Sequence, residues 1–188
     1  KKDFLKLVGN NPSVGNYVKI IHNSIEYGIM QSIADYYLLM KEVIKFNDKK
    51  IVEELNGLNK LLGNTYLVYI TKEIIEKPKS KKFLIKNILD QVEDNSTGAW
   101  AVSLSNDCKY PVPSLSSAVE ARFFSKKKRI FKNVRKIIKK KDITSKKFIK
   151  NMQIVTKLSI ASCYIQGIGL LSEISKVKKI NINLKNVL

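Results

Sequence analysis

Apolar residues recur every three or four positions along almost the whole chain, whereas the alternating runs of half-buried strands are nearly absent. This periodicity predicts an all-α fold. The longest helices are expected from about Val14 to Phe46 and over residues 145–177. With 188 residues, of which 44% are hydrophobic, the chain is long enough to bury a core, and we expect one domain over residues 1–188.

Shorter helices are predicted between these two from the turn residues that bound them. The stretch 49–77 is expected to be helical and to break near Gly57 or Gly63, because glycine is common where helices end. The remaining predicted helices are those over residues 83–92, over residues 99–110 and from Pro111 or Pro113 onward.

The chain carries a formal net charge of +19, from 35 basic and 16 acidic residues. Such a charge attracts nucleic acids or anionic membranes, but only three basic residues are arginine, which reads base edges and clamps phosphates. In the lysine-rich run 126–141 the apolar residues share one helical face, so its lysines are predicted to be a solvated outer face. We therefore expect neither nucleic acid nor membrane as a partner, and a basic helical module that binds nucleic acid stays an alternative.

Cys108 and Cys163 lie far apart and outside any CxxC or Cys/His cluster, so neither a disulfide framework nor a metal site is predicted. This cysteine usage is typical of a cytoplasmic protein. The most apolar window, 158–171, is shorter than a bilayer span requires, and we expect a soluble chain. The eight glycines form neither a GxGxxG motif nor a P-loop, so these residues predict no dinucleotide cradle.

A polar stripe interrupts the apolar pattern of the first helix. Lys19, His22, Asn23 and Glu26 stand at i, i+3, i+4 and i+7, so they share one helix face, with Tyr27 at its edge. The same face is expected to be buried farther along, at Met30, Ile33, Ala34, Tyr37, Met40 and Ile44. A polar stripe that ends where its face enters the core is typical of a pocket wall, although the solvent side of an amphipathic helix has the same spacing.

The side chains of this stripe can transfer protons. A lysine that is desolvated among isoleucines is a better base, because burial disfavours its ammonium form. Burial would likewise favour the protonated form of Glu26 as a separate donor, and Asn23 can bind a substrate hydroxyl or carboxylate through its amide. The stripe therefore predicts Lys19 as a catalytic base and Glu26 as a catalytic acid.

The stripe and two later blocks resemble one enzyme family. Residues 15–40 are similar to the GxxxKxxHNxxEY helix at the start of the all-helical C-terminal domain of 6-phosphogluconate dehydrogenase. Residues 96–125 resemble that family's GTGKW, valine-proline and ARxxS landmarks, with Trp100 and Arg122 at the family's separation. Residues 163–171 resemble its SYAQGFxLL helix. The looser GxxxKxxxN pattern is shared by the wider β-hydroxyacid dehydrogenase group, whose other members stay an alternative.

The resemblance implies a long-helix bundle that serves NADP-dependent oxidative decarboxylation of 6-phosphogluconate to ribulose 5-phosphate and CO2, in the pentose phosphate pathway, as a homodimer. By analogy, Lys19 would take the C3 hydroxyl proton and then, as an ammonium, polarise the ketone, while Glu26 would protonate C1. His22 and Asn23 would hold the hydroxyls and the carboxylate. Tyr27, Thr97 and Arg122 would reach the phosphate, and Asn95 is placed among the substrate-binding residues by its position in the family's phosphate loop.

Two positions depart from the family's pattern. Asn95 and Ala99 stand where the family's KGTGKW loop has lysines, and loss of a cation is expected to weaken phosphate binding. A copy without activity would fit the same departures. The family's N-terminal Rossmann domain, which binds NADP, and its C-terminal tail are not among residues 1–188, so we expect this chain alone to be inactive.

Overall fold

The computed structural model of the chain consists, in its described residues, of helices joined by loops and turns, with one short strand pair. The described residues are 6–76, 78–79, 82–83, 85, 88–89, 91–93, 95–127 and 146–187. The helices are α1 (Ser13–Leu38), α2 (Asp48–Leu61), α3 (Tyr66–Glu76), α4 (Thr97–Asp107), α5 (Pro113–Ser125), α6 (Lys146–Val177) and α7 (Leu184–Val187), with a π-helical turn at Leu39–Val43. The all-α prediction is confirmed.

The helix ends follow local sequence signals. At the start of α2, the side chain of Asn47 accepts a hydrogen bond from the backbone N–H of Lys50, as an N-cap does. The predicted break falls at Gly63, whose φ of +80° is accessible to glycine at little cost, whereas Gly57 stays within the helix. Pro113 is the first residue of α5, where its missing N–H costs nothing.

Two helix predictions have other outcomes. The helix predicted over 83–92 is wrong in its described part, because Phe83 lies in a strand, β2 (Lys82–Phe83), that pairs antiparallel with β1 (Pro78–Lys79). Short apolar runs do not distinguish strand from helix by periodicity alone. The amphipathic helix predicted over 126–141 falls almost wholly outside the described residues.

The chain forms two compact units. The first unit comprises Lys1–Gly28, Glu93–Arg122 and Ala161–Leu188, and the second comprises Ile29–Val92 and Phe123–Ile160. The polar stripe and every other site residue predicted from the sequence belong to the first unit. The assignment of residues 1–188 to a single domain stays a prediction.

In the first unit, α6 approaches α1 closely because glycines leave out side chains at the contact. A methyl group at Gly167 would lie 2.5 Å from Ile25 and 3.2 Å from Ile21, and one at Gly28 would overlap the sulfur of Cys163. Ile21 and Ile25 are accordingly buried. This packing fixes which face of α1 points into the unit.

In the second unit, α2 and α3 pack against each other and bury apolar side chains spaced three to seven residues apart. The buried members of this pair are Ile51, Leu55 and Leu58 on α2 and Val68 and Ile75 on α3. Tyr36, on the second-unit part of α1, is also fully buried, and burial raises the pKa of its phenol to about 12.

Within the described chain, α6 alone has the length and composition of a bilayer-crossing helix, with a mean hydropathy of 1.5 over its most apolar window. The prediction from the sequence considered only residues 158–171 of this helix. Its conclusion that the most apolar segment is too short to span a bilayer is therefore wrong. Length and composition remain weak evidence for a membrane span, since a core helix of a soluble protein passes the same test.

Candidate active site

The polar stripe of α1 is an open surface in this chain. Lys19 and His22 are exposed, Asn23 and Glu26 are half-buried, and Tyr27 is buried. His22 Nδ1 lies 3.6 Å from Glu26 Oε2, one helical turn away. The predicted desolvation of Lys19 is therefore wrong here, because the nearby Ile21 and Ile25 lie against Gly167 of α6.

The apolar continuation of the stripe is buried only in part. Ile33, Met40 and Ile44 are buried, as predicted. Met30 is 38% exposed and Ala34 is exposed, which contradicts the prediction for these two. The face therefore does not enter the core directly after Glu26, and the pocket-wall interpretation is not supported by burial within the described residues.

The loop before α4 is organised by the side chain of Asn95. Its Oδ1 accepts hydrogen bonds from Thr97 Oγ1 at 2.6 Å and from the Thr97 backbone N at 3.4 Å. Ser96, the N-cap residue, has a φ of +69° and makes no side-chain capping bond. The helix start is thus held by Asn95, one residue before the usual capping position.

Tyr27 joins α1 to this loop. Its hydroxyl donates a hydrogen bond to Asn95 Oδ1, and its ring packs with Ala118 and Val119 of α5. A methyl group at Gly98 would lie 2.9 Å from two ring carbons of Tyr27 and 2.7 Å from Val119 Cγ2. The bare backbone at Gly98 therefore lets the ring seat against the first turn of α4.

Arg122 completes the group from the last turn of α5. Its guanidinium carbon lies 3.4 Å from the centre of the Tyr27 ring, a close cation–π contact, and its Nη1 donates to the Glu93 carbonyl at 3.0 Å. At the other end of α5, the Ser114 backbone N donates to Gln166 Oε1 at 2.9 Å, which anchors this helix to α6. The cation is thereby placed beside the phenol.

The α1 stripe is connected to the loop through Asn23. Its Nδ2 donates to Thr97 Oγ1 at 3.3 Å. We call the five side chains that these contacts join the loop cluster; its members are Asn23, Tyr27, Asn95, Thr97 and Arg122. Lys19, His22 and Glu26 share the face of α1 that carries Asn23, within about two helical turns of it.

Three contributors to this arrangement are not among the site residues predicted from the sequence. Gly98 was recognisable in principle, since a glycine inside a helical first turn signals a close approach. The left-handed backbone of Ser96 could not be expected, because serine seldom adopts that conformation, and the carbonyl of Glu93 carries no side-chain signal. Among the described residues, no group of three or more His, Cys, Asp or Glu side chains could hold a metal ion.

The chain is similar to proteins of one family. A family model described as the C-terminal domain of 6-phosphogluconate dehydrogenase matches residues 15–188. A Buchnera aphidicola protein named 6-phosphogluconate dehydrogenase, decarboxylating, is 40% identical over 123 residues, which are 65% of this chain and 26% of that protein. A Candida albicans protein of the same name is 34% identical over 171 residues, which are 86% of this chain and 33% of that protein.

A solved structure supports the same assignment at the level of the fold and the sequence. It is a Plasmodium falciparum 6-phosphogluconate dehydrogenase, described in its apo form and in complex with NADP+ and with 6-phosphogluconate. The TM-score is 0.84 at 29% identity, over 97% of this chain and 40% of that one. The chain thus spans between 26% and 33% of the length of the two relatives above.

Proposed function

Because the chain belongs to the family of 6-phosphogluconate dehydrogenase C-terminal domains, we propose that it is the substrate-binding part of an enzyme that oxidatively decarboxylates 6-phosphogluconate to ribulose 5-phosphate and CO2. The observation that carries the proposal is the loop cluster. It places one guanidinium, one phenol, one aliphatic hydroxyl and two amides next to the polar stripe of α1. A sugar acid with a phosphate at its far end needs a donor-rich anion site beside proton-transfer groups.

In this proposal, the two halves of the site have separate tasks. Arg122, Tyr27 and Thr97 bind the phosphate, with Arg122 supplying the charge-assisted hydrogen bonds. His22 and Asn23 hold the substrate hydroxyls and carboxylate. Lys19 accepts the proton of the C3 hydroxyl, and Glu26 returns a proton to C1 after CO2 has left.

The exposure of Lys19 in this chain bears on how the whole protein works. A lysine acts as a base near neutral pH when its surroundings exclude water. Since the relatives are three to four times as long as the matched segment, we infer that another part of the whole protein covers the stripe. That covering would supply the desolvation that the stripe lacks here.

We assign the coenzyme, NADP, to a part of the whole protein other than this chain. The eight glycines of the sequence form no GxGxxG motif. Residues 1–188 therefore lack the glycine-rich loop whose backbone N–H groups usually bind the pyrophosphate of a dinucleotide. The steps that we assign to this chain are substrate binding and proton transfer.

We also infer a homodimer, built in part on α6. This helix exposes large apolar side chains at a spacing that places them along one side; they are Ile154 (42% exposed), Leu158 (62%) and Ile165 (68%). Apolar side chains repeated in this way are typical of an interface with another protein chain.

The two cysteines, free and buried, support the proposal of a reducing, cytoplasmic location.

Binding of 6-phosphogluconate and gluconate to this chain tests the proposal directly. The two ligands differ by the phosphate alone, so we expect 6-phosphogluconate to bind more tightly in isothermal titration calorimetry. Arg122→Ala should remove most of that difference. Lys60→Ala, which removes one exposed positive charge from α2, should preserve it, and equal affinity for both ligands in the unaltered chain would contradict a phosphate site.

The catalytic role is tested in the whole protein. Lys19→Ala should abolish the oxidation of 6-phosphogluconate and leave its binding nearly intact, because the lysine acts on the C3 hydroxyl. A Lys19→Ala protein with a normal turnover number would refute the role of this residue as the base.

The same measurements separate the two alternatives. Another β-hydroxyacid dehydrogenase would ignore the phosphate and respond to a different 3-hydroxy acid. A nucleic-acid-binding module would bind DNA tightly and with a steep dependence on salt concentration.

A further inference from the structure

Three donor groups converge on a single atom, Asn95 Oδ1. They are the Tyr27 hydroxyl, the Thr97 hydroxyl at 2.6 Å and the Thr97 backbone N–H at 3.4 Å. An amide oxygen has two lone pairs, so these three donors saturate it. A point on which a phenol, an alcohol and a backbone N–H all converge is also where an anionic oxygen would bind.

The direction of these bonds is fixed by the neighbouring amide. Asn23 Nδ2 donates to Thr97 Oγ1 at 3.3 Å, so the Thr97 hydroxyl proton is directed toward Asn95. Asn95 Oδ1 must then act as an acceptor, since the Thr97 backbone N–H can only donate. The amide of Asn95 therefore presents its oxygen, not its nitrogen, to the donors of the loop cluster.

From this convergence we propose that Asn95 is a specificity-determining residue whose amide oxygen competes with a phosphate oxygen for Tyr27 and Thr97. The inference rests on the function proposed above, in which these two residues bind the phosphate. A ligand oxygen reaches both hydroxyls only when it displaces Asn95 Oδ1. Because of this competition, the phosphate group of a sugar-acid phosphate adds less to the binding affinity than the donors of the loop cluster would provide without Asn95. The difference in affinity between phosphorylated and unphosphorylated sugar acids is therefore smaller.

The proposal predicts that shortening a polar side chain at the site increases the affinity for the ligand. Removal of a side chain that binds the ligand would lower that affinity. Asn95→Ser keeps an oxygen that can accept from the Thr97 backbone N–H, but its side chain is too short to keep the Tyr27 hydroxyl engaged. We expect about fivefold tighter binding of inorganic phosphate and of 6-phosphogluconate, the factor that corresponds to one net hydrogen bond of about 1 kcal/mol. Affinity for gluconate should not change.

Three further variants sharpen the test. Asn95→Asp keeps the acceptor in place and adds a negative charge, so it should bind phosphate more weakly than the unaltered chain. Asn95→Lys removes the acceptor and adds a cation, so it should bind most tightly of all. The matched control is Asn106→Ser, the same substitution at an exposed position in the last turn of α4, which should leave all affinities unchanged.

The readouts are calorimetric affinities for inorganic phosphate, 6-phosphogluconate and gluconate, with thermal unfolding to confirm that each variant is folded. Equal or weaker phosphate binding by Asn95→Ser would overturn the proposal, because it would show that Asn95 supports the ligand. If that variant is not folded, Asn95→Ala is held to the same criterion. Tighter phosphate binding without any binding of 6-phosphogluconate would uphold the competition and reject the proposed substrate.

Discussion

The closest packing in the candidate site is at Gly98, and adding one methyl group there tests the described geometry. In Gly98→Ala the new carbon would lie 2.7 Å from Val119 Cγ2 and 2.9 Å from Tyr27 Cδ2 and Cε2. Carbon atoms in contact normally sit at about 3.5–4.0 Å, so a neighbour must move. The ring of Tyr27 is buried and is contacted by Arg122 at 3.4 Å, which leaves it little room.

The magnitude follows from two opposing effects. Overpacking of a well-packed site costs roughly 1–3 kcal/mol, whereas alanine in place of glycine in a helix returns up to about 1 kcal/mol. We therefore expect Gly98→Ala to lower the free energy of unfolding by about 0.5–2 kcal/mol, a decrease in Tm of roughly 2–6 °C for a chain of this size. Displacement of Tyr27 should also weaken the binding of 6-phosphogluconate.

Gly15→Ala is the matched control for this prediction. Gly15 also lies in the first turn of a helix, and no atom lies within 4 Å of a methyl group built on it. This substitution should raise Tm, because only the gain in helix propensity remains. Differential scanning calorimetry of both variants is the assay. If Gly98→Ala raises Tm as much as Gly15→Ala does, the close seating of Tyr27 against α4 is refuted.

Three other variants test separate features of the structure. Ser96→Gly should stabilise the chain by up to about 1 kcal/mol in chemical denaturation, because Ser96 has a φ of +69°; a loss of stability would contradict strain at this residue. Burial raises the pKa of Tyr36 from 10.0 to about 12, so its stabilising contribution is complete below pH 10 and is lost as the pH rises toward 12. Tyr36→Phe should therefore lose less stability across that window than the unaltered chain, while Tyr66→Phe, at a 70% exposed position, should behave like the unaltered chain. Leu158→Glu should convert a dimer of the whole protein to monomer in sedimentation velocity, and Lys157→Glu, exposed beside it on α6, should not; a dimeric Leu158→Glu protein would exclude this side of α6 from the interface.

Helical spacing was sufficient to place the α1 part of the site. The i, i+3, i+4, i+7 pattern correctly put Lys19 on the same face as Asn23 and Glu26, because a regular helix fixes angular position. It did not predict burial, since burial of Lys19 depends on what packs against that face. Ile21 and Ile25 point toward Gly167 of α6, a contact that periodicity within α1 cannot reveal.

The loop part of the site could not be derived from spacing at all. Asn95, Thr97 and Arg122 came only from the resemblance to a family, because they reach α1 from the start of α4, the loop before it and α5, across a large separation in sequence. The convergence of donors on Asn95 Oδ1 depends on the left-handed backbone of Ser96, a residue type that seldom adopts it. The family pattern pointed to a missing cation at Asn95, and the structure adds an acceptor in its place.

The hydrogen bonds of the loop cluster also determine where protons cannot go. The chain of bonds runs from the amide of Asn23 through the hydroxyl of Thr97 and ends at the amide of Asn95. Amides neither release nor take up protons near neutral pH. A proton therefore cannot pass along this chain of hydrogen bonds, because both of its ends are amides. In the ligand-free chain, the hydrogen bonds of the loop cluster therefore provide no path for a proton between the α1 stripe and the Tyr27 hydroxyl.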